Sequence, residues 1–289
     1  MNSLAIIHLS DLHFFDSDLQ LRHLLRSRSV FSKRLVGLLN AKLHRKKRWR
    51  ETVRRRLLGS VEKRHWDYLV ISGDFTNLST EREFMRAREG LDPLIKKGNV
   101  ILTAGNHDRY VRSALQPDLM VRYFGDCFPF RKSETDDLSS PAMELNSEVV
   151  LFELEQAVPR CIISSKGKIL SDLAVVQFAA RGKYAHHTKI AVGHYPAFLP
   201  KTVSEAYWHS LAKRREMQKF LVESEMDLYL HGHIHKSWTT SPVRDNRLIC
   251  VNSGGCCRHK EGVWSGYHAI RIENGNIQID RIQLAPHAV

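Results

Sequence analysis

The sequence predicts a layered α/β fold with its chemistry at the ends of strands, and three observations carry that reading. Five short apolar runs stop at polar, mostly glycine-containing clusters: Leu4–Leu9 before Asp11, Tyr68–Ile71 before Asp74, Val100–Thr103 before Gly105, Lys189–Val192 before His194, and Leu228–Leu230 before His231. Runs this short and apolar on both faces suit strands covered on both sides. Helical patterns fall between several of them, and open α/β sheets place their ligands outside the carboxyl ends of the strands.

The elements follow in order. Met1 to Leu9 is too short for a signal peptide and leads directly into the first strand. Thr80 followed by Glu83 has capping-box spacing and starts a helix that continues towards Leu94. A second helix is expected over 205–225, with Leu211, Phe220 and Leu221 inward. The stretch 130–155 is acidic and broken by Pro141, and reads as a loop plus an irregular or strand segment. Leu248–Val251, His268–Ile272 and Ile277–Ile282 read as strands, the last two joined by Asn274-Gly275, a strong hairpin signal. No internal repeat or linker interrupts the chain, so one domain is expected over 1–289.

Composition narrows the function classes. No apolar stretch approaches the roughly 18 residues of a spanning helix. Five cysteines, an odd number in 289 residues, are not a disulfide framework, so reduced thiols and a cytoplasmic location are expected. Cys256 and Cys257 read as small side chains filling a loop near the site rim. Between Asp16 and Trp66 there are 16 lysines and arginines against 4 acids, which leaves the rest of a +13 chain almost neutral. One basic insert, 16–66, therefore holds nearly all the excess. Leu35, Leu38, Leu39 and Leu43 share a helical face, as do Trp49, Val53, Leu57 and Val61. Basic residues fill the remainder, including Arg45, Lys46, Lys47 and Arg48. The insert is either a solvated helical pair packed on the core or an element that rests on an anionic membrane surface. No zinc-finger or RNA-binding signature supports nucleic acid as a partner.

The polar clusters are Asp11-Leu12-His13, Gly73-Asp74, Gly105-Asn106-His107-Asp108, Gly193-His194 and Gly232-His233-Ile234-His235. Carboxylate, amide and imidazole donors without cysteine suit borderline or hard divalent ions. Alternate residues on an extended segment point the same way, so Asp11 with His13, and His233 with His235, are expected to converge. His8 lies inside a strand and reads as a core histidine. His186 and His187 lie outside the clusters.

This ordered set resembles the calcineurin-like metallophosphoesterase superfamily from Asp11 to His235, and Asn252-Ser253-Gly254 resembles its late Asn-x-Gly turn. The resemblance implies a four-layer α/β sandwich of two central mixed sheets between helices, and a binuclear centre holding two divalent transition metals, manganese foremost, with iron or zinc as alternatives. By motif match, Asp11, His13 and His235 would hold one metal, and Asn106, His194 and His233 the other, with Asp74 bridging. Asp74, Asn106 and His107 would form the catalytic group, with His107 beside the substrate phosphate as proton donor and oriented by Asp108 or Asn77. Arg109 either reaches a phosphate oxygen or forms a structural ion pair.

The implied activity is hydrolysis of a phosphodiester or pyrophosphate bond in a phosphorylated small molecule or nucleotide-linked lipid. The insert's position and leucine-plus-arginine character resemble the membrane-associated superfamily members that cleave UDP-2,3-diacylglucosamine in lipid A synthesis, peripheral on the inner face of the membrane. A cyclic-nucleotide or other small-molecule phosphodiesterase is the alternative enzyme, and a non-catalytic binding module the alternative of another class.

Overall fold

The apolar runs are strands because both of their faces are covered. A computed structural model describes residues 3–16, 33–40, 51–127, 142–244, 247–258 and 265–284. Strands β1 (Leu4–Leu9), β2 (Tyr68–Ile71) and β3 (Asn99–Leu102) run parallel; β10 (Gly266–Glu273) and β11 (Asn276–Gln283) extend that sheet antiparallel on the β1 side. The second sheet joins β4 (Ala142–Glu144), β5 (Val149–Glu153), β6 (Thr188–Val192), β7 (Leu228–His231), β9 (Ile249–Asn252) and β8 (Trp238–Thr240) in that order. Its two edge strands are antiparallel and the four inner ones parallel.

Alternating side chains of each sheet divide between a shared inner core and an outer one, as the pleat requires. Leu4, Ile6, Val70 and Ile101 meet Leu151, Ile190, Val192, Leu228 and Leu230 between the sheets. On the outer face of the first sheet, Ile7, Leu9, Leu69, Ile71 and Leu102 share a core with α2 (Glu51–Glu62), α3 (Glu81–Lys97) and α4 (Leu119–Phe124). On the outer face of the second, Phe152, Ala191 and Tyr229 share one with α5 (Leu173–Arg181) and α6 (Arg214–Glu223). The result is four layers, helices outside and two mixed sheets inside.

The Thr80 capping box is present: its side chain accepts from Glu83 N–H, and Glu83 reaches back to the Thr80 amide. The helix passes Leu94 to Lys97 with Pro93 inside it, on the exposed side. Thr80→Ala is expected to cost about 1 kcal/mol, seen as a lower urea midpoint at unchanged slope. Asn274 and Gly275, both at positive φ, make the two-residue turn of the β10–β11 hairpin.

The structure corrects the expected helix over 205–225. Only Arg214–Glu223 is α-helical, preceded by Lys213 at φ 58° and a 3₁₀ turn at Tyr207–His209. Glu205 is instead drawn inward to pair with Arg214. The described part of 130–155 contains β4 and β5, and β5 is an inner strand.

Two helices of the basic insert are described, α1 (Lys33–Asn40) and α2, whereas Arg45, Lys46, Lys47 and Arg48 lie outside the described residues. Leu38, Leu57 and Val61 are buried as their spacing predicts. Arg54 is buried as well: its guanidinium lies 4.1 Å from the Phe14 ring centroid and donates to the His13 carbonyl. No helix among the described residues is long and apolar enough to cross a membrane.

Candidate metal centre

The strand ends present their side chains through left-handed turns. Asp11, His13, Asp74 and His233 have φ of 58°, 47°, 57° and 71°, conformations that cost a non-glycine residue of order 1–3 kcal/mol and collect at functional sites. The expected alternation along extended segments is therefore not what gathers these side chains. Backbone bonds hold the turns instead: Asp11 N–H donates to the Gly73 carbonyl and His13 N–H to that of Asp74, both at 3.0 Å. Glycines make room for the close approach. A Cβ on Gly105 would collide with the Asp74 carboxylate, and one on Gly232 would stand 2.6 Å from Asp11 Oδ2.

One donor group comprises Asp11, His13, Asp74 and His235, whose ligand atoms all lie within 4.8 Å of one another. His235 Nε2 is 3.1 Å from His13 Nε2 and 3.2 Å from Asp11 Oδ1. A second group surrounds Asn106 Oδ1, with His233 Nδ1 at 2.9 Å and His194 Nε2 at 3.2 Å. Asp74 touches both: Oδ2 is 4.0 Å from His13 Nε2, and Oδ1 is 3.4 Å from His194 Nε2.

Hydrogen bonds on the far side of each ring decide which nitrogen faces the site. His13 Nδ1 pairs with the Thr76 carbonyl at 3.1 Å, His194 Nδ1 with that of Ser72 at 2.8 Å, and His233 Nε2 with that of His209 at 2.7 Å. Carbonyls only accept, so each ring spends an N–H there and turns its other nitrogen inward. In their neutral forms His194 and His233 then aim lone pairs at the amide oxygen of Asn106, a place that a metal ion or, for His194, a proton has to fill. Asp11 Oδ1 is fully buried and, among the described residues, faces only imidazole nitrogens, His235 Nε2 at 3.2 Å and His13 Nε2 at 3.8 Å. A set of acceptors turned on one another needs cations between them, so the residues present fit two metal ions.

The electrostatics agree. Burial opposes ionisation of Asp74, but His194, His107 and His13 outweigh it and hold the carboxyl well below its usual range. Burial likewise opposes charge on His194, yet the Asp74 carboxylate prevails and raises it to about 9. Burial and the neighbouring His194 push His233 down to about 4. The cavity is poised for positive charge, concentrated around Asp74.

His107 lies beside the first group, its ring edge-on to His13 at 5.1 Å between centroids. Of its two candidate partners Asn77 orients it, through the backbone carbonyl 2.6 Å from His107 Nδ1. Asp108 instead braces the loops, accepting from the amides of Asp74, Thr76 and Gly105 at 2.7 to 2.9 Å. Burial and the adjacent Asp74 raise its pKa to about 7. Arg109 pairs with Glu155 at 2.5 Å, the structural ion pair of its two readings.

Other sequence candidates fall outside the centre. His8 is buried and bonded to Ser72 Oγ at 2.8 Å. His186 and His187 line a different pocket, with Asp227 and Arg247. Cys256 and Cys257 are fully buried, and burial together with Cys257 holds the Cys256 thiol well above its usual range, which makes it inert.

Three features carried no signal in the sequence. Glu205 places Oε1 3.3 Å from His233 Nε2, and the Tyr195 ring packs 4.4 Å from that of His233. The third is a cleft of about 330 Å³ whose floor includes Asp74, Asn106, His107, His233 and His235. Its far wall comes from Lys33, Val36 and Gly37 of α1 and from the loop Ile162–Ser165, so the insert helps to build the site.

The calcineurin-like phosphoesterase family model matches residues 4–237. No curated protein matches the chain significantly. Among solved structures, a dimetal phosphatase from Danio rerio superposes with a TM-score of 0.66 at 11% identity, covering 96% of this chain and 95% of that one. The purple acid phosphatase PPD1 from yellow lupin gives 0.56 at 9% identity, over 98% of this chain and 52% of that one. A 5'-nucleotidase from Candida albicans gives 0.50 at 16%, over 97% and 52%. At such identities the likeness is one of fold. With the family match over most of its length and a donor set fit for metal at its strand ends, the chain belongs to the calcineurin-like phosphoesterase family and is a metallophosphoesterase-type hydrolase.

Proposed function

We propose that the protein hydrolyses a phosphodiester or diphosphate bond at a binuclear centre in which Asp11, His13 and His235 hold one divalent ion, Asn106, His194 and His233 a second, and Asp74 bridges them. The observation that carries this is the pair of donor groups sharing Asp74, with Asn106 supplying an uncharged oxygen that leaves the site electropositive. Bound divalent ions supply Lewis-acid activation of water and neutralisation of a phosphoryl group. Mixed oxygen and nitrogen donors favour manganese, iron or zinc over calcium.

The chain does the rest. His107, its Nδ1–H fixed on the Asn77 carbonyl, would offer Nε2–H as the proton donor to the departing oxygen. Left-handed turns and the Asp108 brace fix the donors before substrate arrives, the preorganisation that a charged transition state requires. A panel with added manganese tests the reading: bis(p-nitrophenyl) phosphate, 2′,3′- and 3′,5′-cyclic nucleotides, UDP-diacylglucosamine and a phosphopeptide. Turnover of the diesters or the diphosphate supports it. Silence on all with metal bound would favour a binding module.

A lipid-linked substrate is the second reading, favoured by the cleft mouth. Ile163 there is 71% exposed, and Tyr207 and Trp208 beside it are 67% and 56% exposed, apolar surface that a bilayer would cover. The basic insert would supply attraction to anionic lipid. Replacing Arg45, Lys46, Lys47 and Arg48 with glutamate is expected to abolish sedimentation with anionic liposomes. Wild-type binding should fall as the Debye length shrinks from about 10 Å at 0.1 M salt to about 3 Å at 1 M. Unchanged binding by the variant would remove the membrane role.

A further inference from the structure

We infer that Lys33 reaches from the insert into the cleft to hold a second anionic group of the substrate, which makes the enzyme selective for diphosphate-linked molecules over simple phosphodiesters; the inference rests on the phosphoesterase reading. Among the described residues lining the cleft, Lys33 is the one lysine or arginine. The neighbouring candidate, Arg109, is committed to Glu155.

The helix that carries Lys33 is firmly seated. Leu38 is buried against Leu78 and Tyr110. A Cβ on Gly37 would stand 2.6 Å from Leu78 and 2.8 Å from the Tyr110 hydroxyl, so glycine lets the helix press onto that ring. Arg34 ties the same turn to the Leu78 and Ser79 carbonyls at 2.9 and 2.5 Å.

From this base the Lys33 ammonium lies 4.2 Å from the centre of the Tyr110 ring, and that ring stacks on His107 at 5.2 Å and 12°. A single aromatic ring thus spans the gap between the cation and the histidine beside the metal centre. Lys33 is buried and lines the same cleft as Asp74. Among the described residues it makes one hydrogen bond, to the Ser164 carbonyl at 3.1 Å, which leaves donors for an incoming oxygen. Burial lowers its pKa to about 8, so it is charged at neutral pH, and an arriving anion would recover what burial costs it. An ammonium with unspent donors, set back from the metal ligands in the same cleft, suits a phosphate next to the one being attacked. A simple diester has no such group.

The test compares manganese-loaded wild type, Lys33→Met and Lys33→Arg on a UDP-sugar and on bis(p-nitrophenyl) phosphate, with thermal melting to confirm folding. A lost charged hydrogen bond predicts that Lys33→Met lowers the diphosphate-to-diester ratio of kcat/KM by about 10- to 100-fold, and that Lys33→Arg restores most of it. An unchanged ratio, whatever the absolute loss, would overturn the inference and leave Lys33 a structural anchor for its helix. Wild type that cleaves the diester and not the diphosphate would overturn it while sparing the phosphoesterase reading. If wild type is silent on both, the wider substrate panel decides the phosphoesterase reading, and calorimetric binding of methylenediphosphonate against orthophosphate decides Lys33 separately. A preference for the diphosphonate that Lys33→Met loses supports the anion site, and an equal preference in both proteins ends it.

Discussion

Replacing Asp74 with alanine is expected to strip the protein of metal and abolish hydrolysis. Its carboxylate faces both donor groups, with one oxygen 4.0 Å from His13 Nε2 and the other 3.4 Å from His194 Nε2. Its Oδ1 also accepts the His107 amide at 2.7 Å, so the loop that carries the proton donor loosens with it. Three histidines offset the burial that opposes its charge, and without Asp74 His194 loses the carboxylate that keeps it charged, so both donor groups lose the anion they share. Alanine also has to bear a φ of 57°, a strain that asparagine tolerates better. Asp74→Asn therefore separates charge from backbone. Elemental analysis should find both variants depleted of metal, with Asp74→Asn melting closer to wild type. Full metal occupancy in Asp74→Asn would show that the carboxylate is not the bridge.

His107→Ala is the contrasting case. It removes no donor from either group, so both metals should stay bound while turnover falls by roughly 10²–10⁴, the worth of a positioned acid or base. The loss should belong to kcat, and it should shrink for a substrate whose leaving group needs no proton, such as p-nitrophenolate. Metal loss equal to that of Asp74→Ala would mean that His107 acts as a ligand.

The sequence made these residues legible because a metal centre needs particular donor types at strand ends, and those ends are marked by apolar runs buried on both faces. β1, β2, β6 and β7 were readable for that reason, and so was the hairpin, whose two left-handed positions call for Asn274 and Gly275. The helix at Leu173–Arg181 had a local signal in Asp172, which caps it by accepting from the amides of Ala174 and Val175, but its short apolar face sits in a stretch with few landmarks. Tertiary effects were not readable. Glu205 breaks a helical pattern because pairing with Arg214 and approaching His233 draw it inward. The turn of His107 onto a backbone carbonyl leaves no trace in side-chain identity. Spacing alone does not distinguish Lys33 from the other charges of the basic insert, and only the seating of α1 on Tyr110 gives it a place in the cleft.

Manganese titration of the metal-free protein, with bound metal and bis(p-nitrophenyl) phosphate hydrolysis read on the same samples, decides whether the two donor groups form a working binuclear centre. Saturation is expected at two equivalents, with hydrolysis appearing as the pair of sites fills. A protein that takes up no manganese, or one that fills both sites and stays inert towards every phosphoester offered, would contradict it.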